Sequence, residues 1–467
     1  MRVEVTGAKS GKGIKPLYHV TKRAMLDHQN SRRCHAGLTV PAVKPPVIGW
    51  FYAEHTLLSC LGTSIEWGQI PFHRAPDHTV PSSITHEFEN APLAALTPVP
   101  SVDILLPSKE RFGPANAGAV STVVYDLATA SRTPGCFHVF GAPVSAPFEG
   151  VDFTALSPRR GWLHGNNIGL ANGYLHNLRG RTGPDLVEVH GRCQVAAHIK
   201  AKRPDLKVAL YLHNDPREMK ASRTVAERTR LLRQMAAVIC VSDYIRSCFL
   251  DGLEVADEMA AKVQTARNGV MRRLTKPVVK HPMVLLVGRM VPEKGILECA
   301  EALARTLVDH PQWEAVIVGG RHFKTAAPAS YEAKVAAALA PLADRARMTG
   351  FLPLDEVRSL QEGAAIIACP SLWQEPMGKT ALEALAVGSA LLTTRRGGIP
   401  EAAEGRAHIV DEPSVDSFAA AIQKMVTDDA YRERLQKAAW EDFPFTNTAM
   451  ARDADSIRAH AIATQGT

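Results

Sequence analysis

The chain has 467 residues, 46% hydrophobic and 22% charged, which is enough for two or three domains with buried cores. Residues 1–46 hold nine bases against two acids and so carry the whole formal net charge of +7; the neutral remainder gives no support to nucleic-acid binding. No apolar run is close to the length of about 18 residues that a transmembrane helix needs. The eight scattered cysteines form no CxxC pair, so we expect a reducing, cytoplasmic compartment with no disulfides and no zinc site.

Residues 1–100 show no sustained hydrophobic periodicity, and we expect an N-terminal extension of uncertain structure there. The segment is basic but lacks an apolar core, so it is not a secretory signal. An organellar transit peptide and a disordered leader both stay open. Contact of its bases with a membrane is a further alternative, which would make the protein peripheral to the inner face of the membrane.

From Val102 onward, short apolar runs alternate with helical patterns, which is typical of a parallel α/β sheet. Within residues 101–273 the expected strands are "VDILLP", "CFHVFG", "DLVEVH", "KVALYLH" and "AVICVS", and the expected helices are "AVSTVVYDLATA", "QVAAHIKAK" and "AERTRLLRQMA". We predict an N-terminal Rossmann-like acceptor domain over this range.

The alternation restarts within residues 283–442. The expected strands are "MVLLVG", "EAVIVGG", "AIIACP" and "ALLTT", and the expected helices are "GILECAEALARTLVDH", "YEAKVAAALAPLADRA", "LDEVRSLQEG" and "TALEALAVG". The stretch 274–282 has two prolines and is the expected linker. We predict two doubly wound domains that face each other across a cleft, with a helix within 443–467 packing back on the first domain.

The stretch "LLVGRMVPEKG" ends an expected strand at Val287 and is followed by Gly288, Arg289 and Lys294. Two cations at the carboxyl end of a parallel strand can clamp a diphosphate. A solvated charged loop explains the same residues when they are taken alone.

The stretch "WQEPMGKTALEALAVG" places Glu375 before a helix, with Pro376 suited to its first turn, and Glu383 about two turns in. The two carboxylates are then about 10 Å apart along the axis, with the helix N-terminus and its free N–H groups between them. This arrangement suits a ligand with hydroxyls at both ends and an anion in the middle. Two solvated helix charges are the alternative.

Four motifs occur in order: Gly288-Arg289 with Lys294-Gly295, then Gly319-Gly320, then "EPMGKTALEA", then "GGIPE". Together they resemble the donor half of the retaining GT-B glycosyltransferases of the family 4 type (glycosyl transferases group 1). "RFGPANAGAVSTVVYDLA", "VEVHGR", "LYLHND", "VICVSDYIR" and "ARNGV" extend the resemblance to about residues 102–460. One departure is Ala117-Gly118, where the family has a Gly-Gly pair.

The resemblance implies a site for a nucleotide-sugar donor. Arg289 and Lys294 would hold the diphosphate, Glu375 the hydroxyls of the transferred sugar and Glu383 the ribose. His190 would approach the donor sugar. We therefore predict Arg289, Lys294, Glu375 and His190 as catalytic, and as donor-binding Asn116, Gly118, His213, Gly288, Gly320, Met377, Gly378, Lys379, Thr380 and Glu383. A buried histidine with satisfied hydrogen bonds is the alternative for both His190 and His213.

The resemblance also implies the reaction. It is transfer of a hexosyl group with retention, without metal or other cofactor, to a saccharide or lipid-linked acceptor of exopolysaccharide or lipopolysaccharide assembly. In the family the leaving phosphate takes the acceptor's proton by a front-face route. A catalytically silent sugar-nucleotide-binding protein and a GT-B-fold sugar-nucleotide epimerase are the alternatives. The sequence shows neither a complete P-loop nor GxGxxG after a strand, HExxH or GxSxG.

Overall fold

The computed structural model describes residues 100–115, 117–159, 161–320 and 330–464. All of them lie in one compact unit that spans Asn90–Thr467. The N-terminal extension predicted for residues 1–100 lies outside the described residues, apart from Pro100. No helix in the described ranges has the length and apolar character needed to cross a membrane.

The first sheet is parallel throughout, with the strand order β3-β2-β1-β4-β5-β6-β7. Its strands are β1 (Val102–Leu105), β2 (Phe137–Gly141), β3 (Asp152–Ala155), β4 (Leu186–His190), β5 (Val208–Leu212), β6 (Ala237–Cys240) and β7 (Val263–Thr265). β5 and β6 are buried on both faces, which is why they appear in the sequence as continuous apolar runs.

The second sheet is also parallel throughout, with the order β10-β9-β8-β11-β12-β13. Its strands are β8 (His281–Val287), β9 (Glu314–Val318), β10 (Ala346–Gly350), β11 (Ala364–Cys369), β12 (Ala390–Thr394) and β13 (Ala407–Val410). Two parallel sheets with helices between their strands confirm the predicted fold class, a doubly wound α/β architecture with two Rossmann-like halves.

Helices connect the strands and cover the sheets. They are α1 (Ala119–Ala130), α2 (Gly161–His164), α3 (Asn166–Asn177), α4 (Cys193–Lys202), α5 (Val225–Gln234), α6 (Asp243–Leu250), α7 (Asp257–Ala260), α8 (Ile296–Leu307), α9 (Ser330–Leu339), α10 (Leu354–Gly363), α11 (Lys379–Ala386), α12 (Ile399–Ala403), α13 (Val415–Thr427), α14 (Asp429–Glu441) and α15 (Asn447–Ala463). The last helix, α15, packs against α1 and against strands of the first sheet.

One predicted helix is shorter than its pattern indicated. We expected "YEAKVAAALAPLADRA" to be helical throughout, but α9 ends at Leu339 and a 3-10 segment follows. Pro341 lies in that segment and cannot donate the backbone hydrogen bond that would continue an α-helix.

Candidate active site

The strand order of each sheet reverses between two neighbouring strands, β1 and β4 in the first and β8 and β11 in the second. Loops that leave such a pair at the carboxyl ends run to opposite faces of the sheet and open a crevice in which ligands bind. In the second sheet these loops are residues 288–295 and 370–378. They contain the predicted Gly288, Arg289, Lys294 and Glu375.

Lys294 and Glu375 meet between these two loops. Lys294 Nζ donates a hydrogen bond to Glu375 Oε1 at 2.5 Å, and Ser371 Oγ donates to the same oxygen at 2.7 Å. The Lys294 side chain is 24% exposed and that of Glu375 is 8% exposed. Glu375 Oε2 has no hydrogen-bond partner among the described residues, so one carboxylate oxygen is available to a ligand.

Close backbone contact holds the two loops together. Gly295 adopts φ +65°, and a Cβ at this position would lie 2.0 Å from Pro370 O. Leu372 N donates a hydrogen bond to Glu293 O at 2.9 Å. Only glycine fits this approach, and it brings the Lys294 loop against the Glu375 loop.

Helix α11 begins immediately after the Glu375 loop, with Gly378 as its N-cap at φ +71° and no side chain capping it. The first turn starts at Lys379, so our expectation that Pro376 lies in that turn was wrong. Met377 is buried, and its side chain packs in the hydrophobic core. Thr380 is the second residue of the helix. The uncapped N–H groups of this turn form a potential anion site.

Lys379 and Glu383 lie on α11 and each has a partner. Lys379 Nζ is 3.7 Å from Asp126 Oδ2 of α1. Gln361 Nε2 donates a hydrogen bond to Glu383 Oε2 at 3.0 Å, and burial raises the pKa of Glu383 while Lys379 partly opposes this. Glu383 is the fifth residue of α11, a little more than one turn in rather than the two turns we expected.

Arg289 is exposed, and its guanidinium makes no hydrogen bond or ion pair with any described residue. The glycines beside it permit a close backbone approach. Gly319 has φ +123°, and a Cβ there would lie 2.0 Å from Gly288 O. Gly320 O accepts a hydrogen bond from Met290 N at 3.3 Å. Gly288 and Gly320 therefore help to set the path of the loop that carries Arg289.

In the first sheet, His190 ends β4 and His213 directly follows β5. His190 Nδ1 lies 2.9 Å from His213 Nε2, and His190 Nε2 lies 2.8 Å from Glu188 Oε1. Both ring nitrogens of His190 are thus engaged and the residue is 0% exposed, whereas His213 is 8% exposed. His213 is therefore the less buried ring of the pair.

Gly118 is the N-cap of α1, and Asn116 lies outside the described residues. The carboxylate of Glu110 occupies the N-terminus of this helix. Its Oε2 accepts hydrogen bonds from Ser121 N at 3.1 Å and from Ser121 Oγ at 3.0 Å. A Cβ on Gly118 would lie 2.2 Å from the same oxygen. An anionic ligand at this helix end has to displace Glu110 or compete with it.

Sequence reasoning missed Ser371, Glu110 and the contact made by Glu401. Glu401 lies in the "GGIPE" stretch, on α12 of the second sheet's half. Its carboxylate accepts hydrogen bonds from Asp243 N at 2.9 Å and Tyr244 N at 2.7 Å, at the start of α6 in the first half. Arg267 Nε donates to Glu401 Oε2 at 3.1 Å.

This contact adjoins the Glu375 loop. Gly398, three residues before Glu401, donates its N–H to Glu375 O at 2.7 Å. A Cβ on Gly398 would lie 3.1 Å from Ser242 Cβ, at the N-cap of α6. The carboxyl ends of both sheets therefore meet beside the loop that carries Glu375. Among the described residues, no group of three or more His, Cys, Asp or Glu side chains is arranged to hold a metal ion.

The arrangement of the two sheets is also found in solved structures of other proteins. The chain superposes on sucrose-phosphate synthase from Thermosynechococcus elongatus with a TM-score of 0.63 and 19% identity, covering 78% of this chain and 100% of that one. It also superposes on Anabaena HepE in complex with UDP and glucose, with a TM-score of 0.60 and 15% identity, covering 77% of this chain and 100% of that one. The likeness shows the GT-B fold.

Residues 271–442, which include Lys294 and Glu375, match the model of the family of glycosyl transferases group 1. The YtcC protein of Bacillus subtilis (strain 168) is 27% identical over 289 residues, which are 57% of this chain and 70% of that protein. The lipopolysaccharide 1,2-N-acetylglucosaminetransferase of Salmonella typhimurium (strain LT2) is 23% identical over 269 residues, 54% of this chain and 66% of that one.

Proposed function

We propose that the protein transfers a hexosyl group from a nucleotide-sugar donor to a saccharide or lipid-linked acceptor, with retention of anomeric configuration. The observation that carries the proposal is the Lys294–Glu375 pair, held by Ser371 beside the uncapped start of α11. A cation, a carboxylate with one free oxygen and a row of backbone N–H groups together match a sugar joined to a diphosphate.

Each group has a role in this proposal. Lys294 and the unpaired Arg289 neutralise the charge that develops on the leaving diphosphate, with Gly288 and Gly320 shaping their loop. The backbone N–H groups from Met377 to Thr380, which lead into the first turn of α11, bind phosphate oxygens. Glu375 Oε2 accepts hydrogen bonds from sugar hydroxyls, and Glu383 accepts them from the ribose. His213 is assigned to the sugar side with His190 behind it, and Gly118 with Asn116 to the phosphates and acceptor.

The leaving phosphate would take the acceptor's proton, so the mechanism needs neither a side-chain nucleophile nor a metal ion. The Anabaena HepE complex contains UDP and glucose, and the Salmonella relative is named as a lipopolysaccharide transferase. The first supports a nucleotide-sugar donor and the second a surface glycan as product, and we propose exopolysaccharide or lipopolysaccharide assembly as the pathway.

The test is transfer from nucleotide-sugars to glycan acceptors, with EDTA or with Mg²⁺, followed by NMR of the product's anomeric proton. The proposal expects transfer in EDTA and a product with the donor's anomeric configuration. Inversion, or a strict requirement for Mg²⁺, would overturn the mechanism. Conversion of the donor into an epimer would favour the epimerase, and donor binding without any turnover would favour a silent binding protein.

A further inference from the structure

A buried ion pair joins the last helix to the first sheet. Arg458 of α15 donates two hydrogen bonds to Glu188 of β4, from Nε to Oε2 and from Nη2 to Oε1, both at 2.8 Å. The side chains are 3% and 0% exposed. Such a bidentate pair neutralises a carboxylate that would be very costly to bury alone.

The pair continues into the two histidines. Glu188 and His190 are two residues apart on one strand, so their side chains share a face of the sheet. Glu188 Oε1 lies 2.8 Å from His190 Nε2, and His190 Nδ1 lies 2.9 Å from His213 Nε2. We call Arg458, Glu188, His190 and His213 the buried relay.

The hydrogen-bonding capacity of each group sets the proton positions along the relay. Burial raises the pKa of Glu188, and Arg458 more than offsets this, so the pKa lies below its usual value and Glu188 accepts. His190 Nε2 must then donate. If His190 is neutral, its Nδ1 accepts from His213 Nε2–H, which leaves His213 Nδ1 as an acceptor. No described residue is bonded to His213 Nδ1.

We propose that Arg458 is a positioning residue: by pairing with Glu188 it fixes His190 as a donor from Nε2 and an acceptor at Nδ1, and so presents His213 Nδ1 as a hydrogen-bond acceptor at the carboxyl end of β5. The inference rests on the proposed function only for the ligand, a sugar hydroxyl that would donate to this nitrogen. The proton positions are a property of the chain itself.

The other charged and titratable groups around the rings are few. Tyr211 stacks on His190 with ring centroids 4.7 Å apart, and burial raises its pKa, so it stays neutral. Burial holds the pKa of His213 well below its usual value, and the nearby Arg192 acts in the same direction. Asp455 Oδ1 accepts from Arg458 Nη1 at 3.1 Å.

Removing the Arg458 guanidinium should reverse the direction of the hydrogen bond between His190 and His213. Without Arg458, the buried Glu188 carboxylate keeps His190 as its only partner in the relay, and an unpaired carboxylate raises the pKa of a neighbouring histidine. His190 then carries two protons, its Nδ1–H donates to His213 Nε2, and His213 Nδ1 becomes a donor. A hydroxyl that donated to this nitrogen loses its acceptor.

The test is long-range ¹H–¹⁵N NMR of the full chain with ¹⁵N-labelled histidines, with His190 and His213 assigned from H190Q and H213Q. In the wild type we expect His213 to carry its proton on Nε2. We expect R458M to move that proton to Nδ1, and R458K and E188Q/R458M to keep the wild-type pattern. A wild-type His213 protonated on Nδ1, or an unchanged pattern in folded R458M, overturns the proposal; if R458M does not fold, R458Q is measured in its place with the same expected result.

The functional arm is the pH profile of transfer. In R458M the acidic limb should move to higher pH, because the uncompensated Glu188 carboxylate favours the protonated relay in which His213 Nδ1 donates. I457V, at the neighbouring buried position of α15, should change stability without moving the limb. An unmoved limb in R458M contradicts the positioning role. Absence of transfer in the wild type would overturn the proposed function instead, while the NMR arm still tests the relay.

Discussion

Lys294 Nζ lies 2.5 Å from Glu375 Oε1, although the two residues come from loops that follow different strands of the second sheet. The pair is largely buried, and Trp373 lies beside it with its ring centroid 5.5 Å from Nζ. The indole Nε1 of Trp373 is buried without a partner among the described residues. A bound diphosphate would share Lys294 with Glu375, so the cation is in place before the donor arrives.

The stability of the pair can be measured separately from activity. K294M should lower the free energy of unfolding by about 1–3 kcal/mol, because it leaves the carboxylate of Glu375 without its cation. In K294M/E375Q the loss should be smaller than the sum of the single losses, since a neutral amide replaces the stranded charge. Urea denaturation of the four proteins gives the coupling, and additive losses would contradict the pairing.

Activity should not follow stability. K294M and K294M/E375Q should both lower kcat/KM for the donor by about 100-fold or more, because a cation that stabilises the leaving group is lost. K276M, on the exposed linker, is the matched control and should stay within about threefold. Recovery of activity in the more stable double variant would show that Lys294 acts only through the fold.

Two left-handed glycines give a matched pair for the Glu375 loop. Gly397 has φ +60°, and a Cβ there would lie 2.1 Å from Glu375 O; Gly405 has φ +76° and open space around it. G405A should cost about 1–2 kcal/mol, the backbone strain alone. G397A should cost more and lower kcat/KM by about tenfold or more, because the Glu375 loop must shift. Equal effects of the two variants on unfolding and kinetics would argue against this packing.

Glu401 joins the halves of the molecule by accepting two backbone N–H groups at the start of α6. E401A should destabilise the protein by about 1–3 kcal/mol, as the loss of a helix cap and of the Arg267 contact requires. Glu404 follows α12, is 66% exposed and pairs with Arg395, so E404A should change stability by less than about 1 kcal/mol. Similar urea midpoints for E401A and E404A would show that Glu401 does not join the two halves in this way.

Lys280 predicts a pH dependence of stability. Its Nζ donates to Glu362 O at 2.7 Å and Val387 O at 2.8 Å, and burial lowers its pKa from 10.5 to about 8. Between these values the unfolded chain binds the proton more tightly, so this lysine makes stability rise with pH. We expect the urea midpoint of the wild type, relative to that of K280M, to rise from pH 8 to pH 10. A constant difference between the two proteins would contradict the lowered pKa of Lys280.

Strands buried on both faces could be predicted from the sequence, and edge strands could not. β6 and β11 are continuous apolar runs because helices cover both of their faces. β3, β10 and β13 lie at sheet edges, where they are half exposed and carry polar residues, so no apolar run reveals them. α3 was also missed, because its Asn- and Gly-rich sequence is a poor helix former and tertiary packing supports it, including the bond from Tyr174 to Asp103.

Some features of the candidate site could likewise be predicted from the sequence, and others could not. Lys294 and Glu375 lie in motifs whose local order is readable, so sequence reasoning placed both on the correct loops. The partners that fix them come from tertiary structure. Arg458 and Glu188 are 270 residues apart, and no local pattern signals their contact. Sequence reasoning likewise had no means of showing that Glu110 occupies the end of α1 at Gly118.

The central claim is that the Lys294–Glu375 site binds a nucleotide-sugar. The most direct test is calorimetric titration of the full chain with UDP-, GDP- and ADP-sugars in EDTA, comparing the wild type with K294M/E375Q and K276M. We expect one nucleotide-sugar to bind the wild type and K276M with similar affinity, and to bind K294M/E375Q about 100-fold more weakly. Equal affinity for all three proteins, or no binding to the wild type, would contradict it.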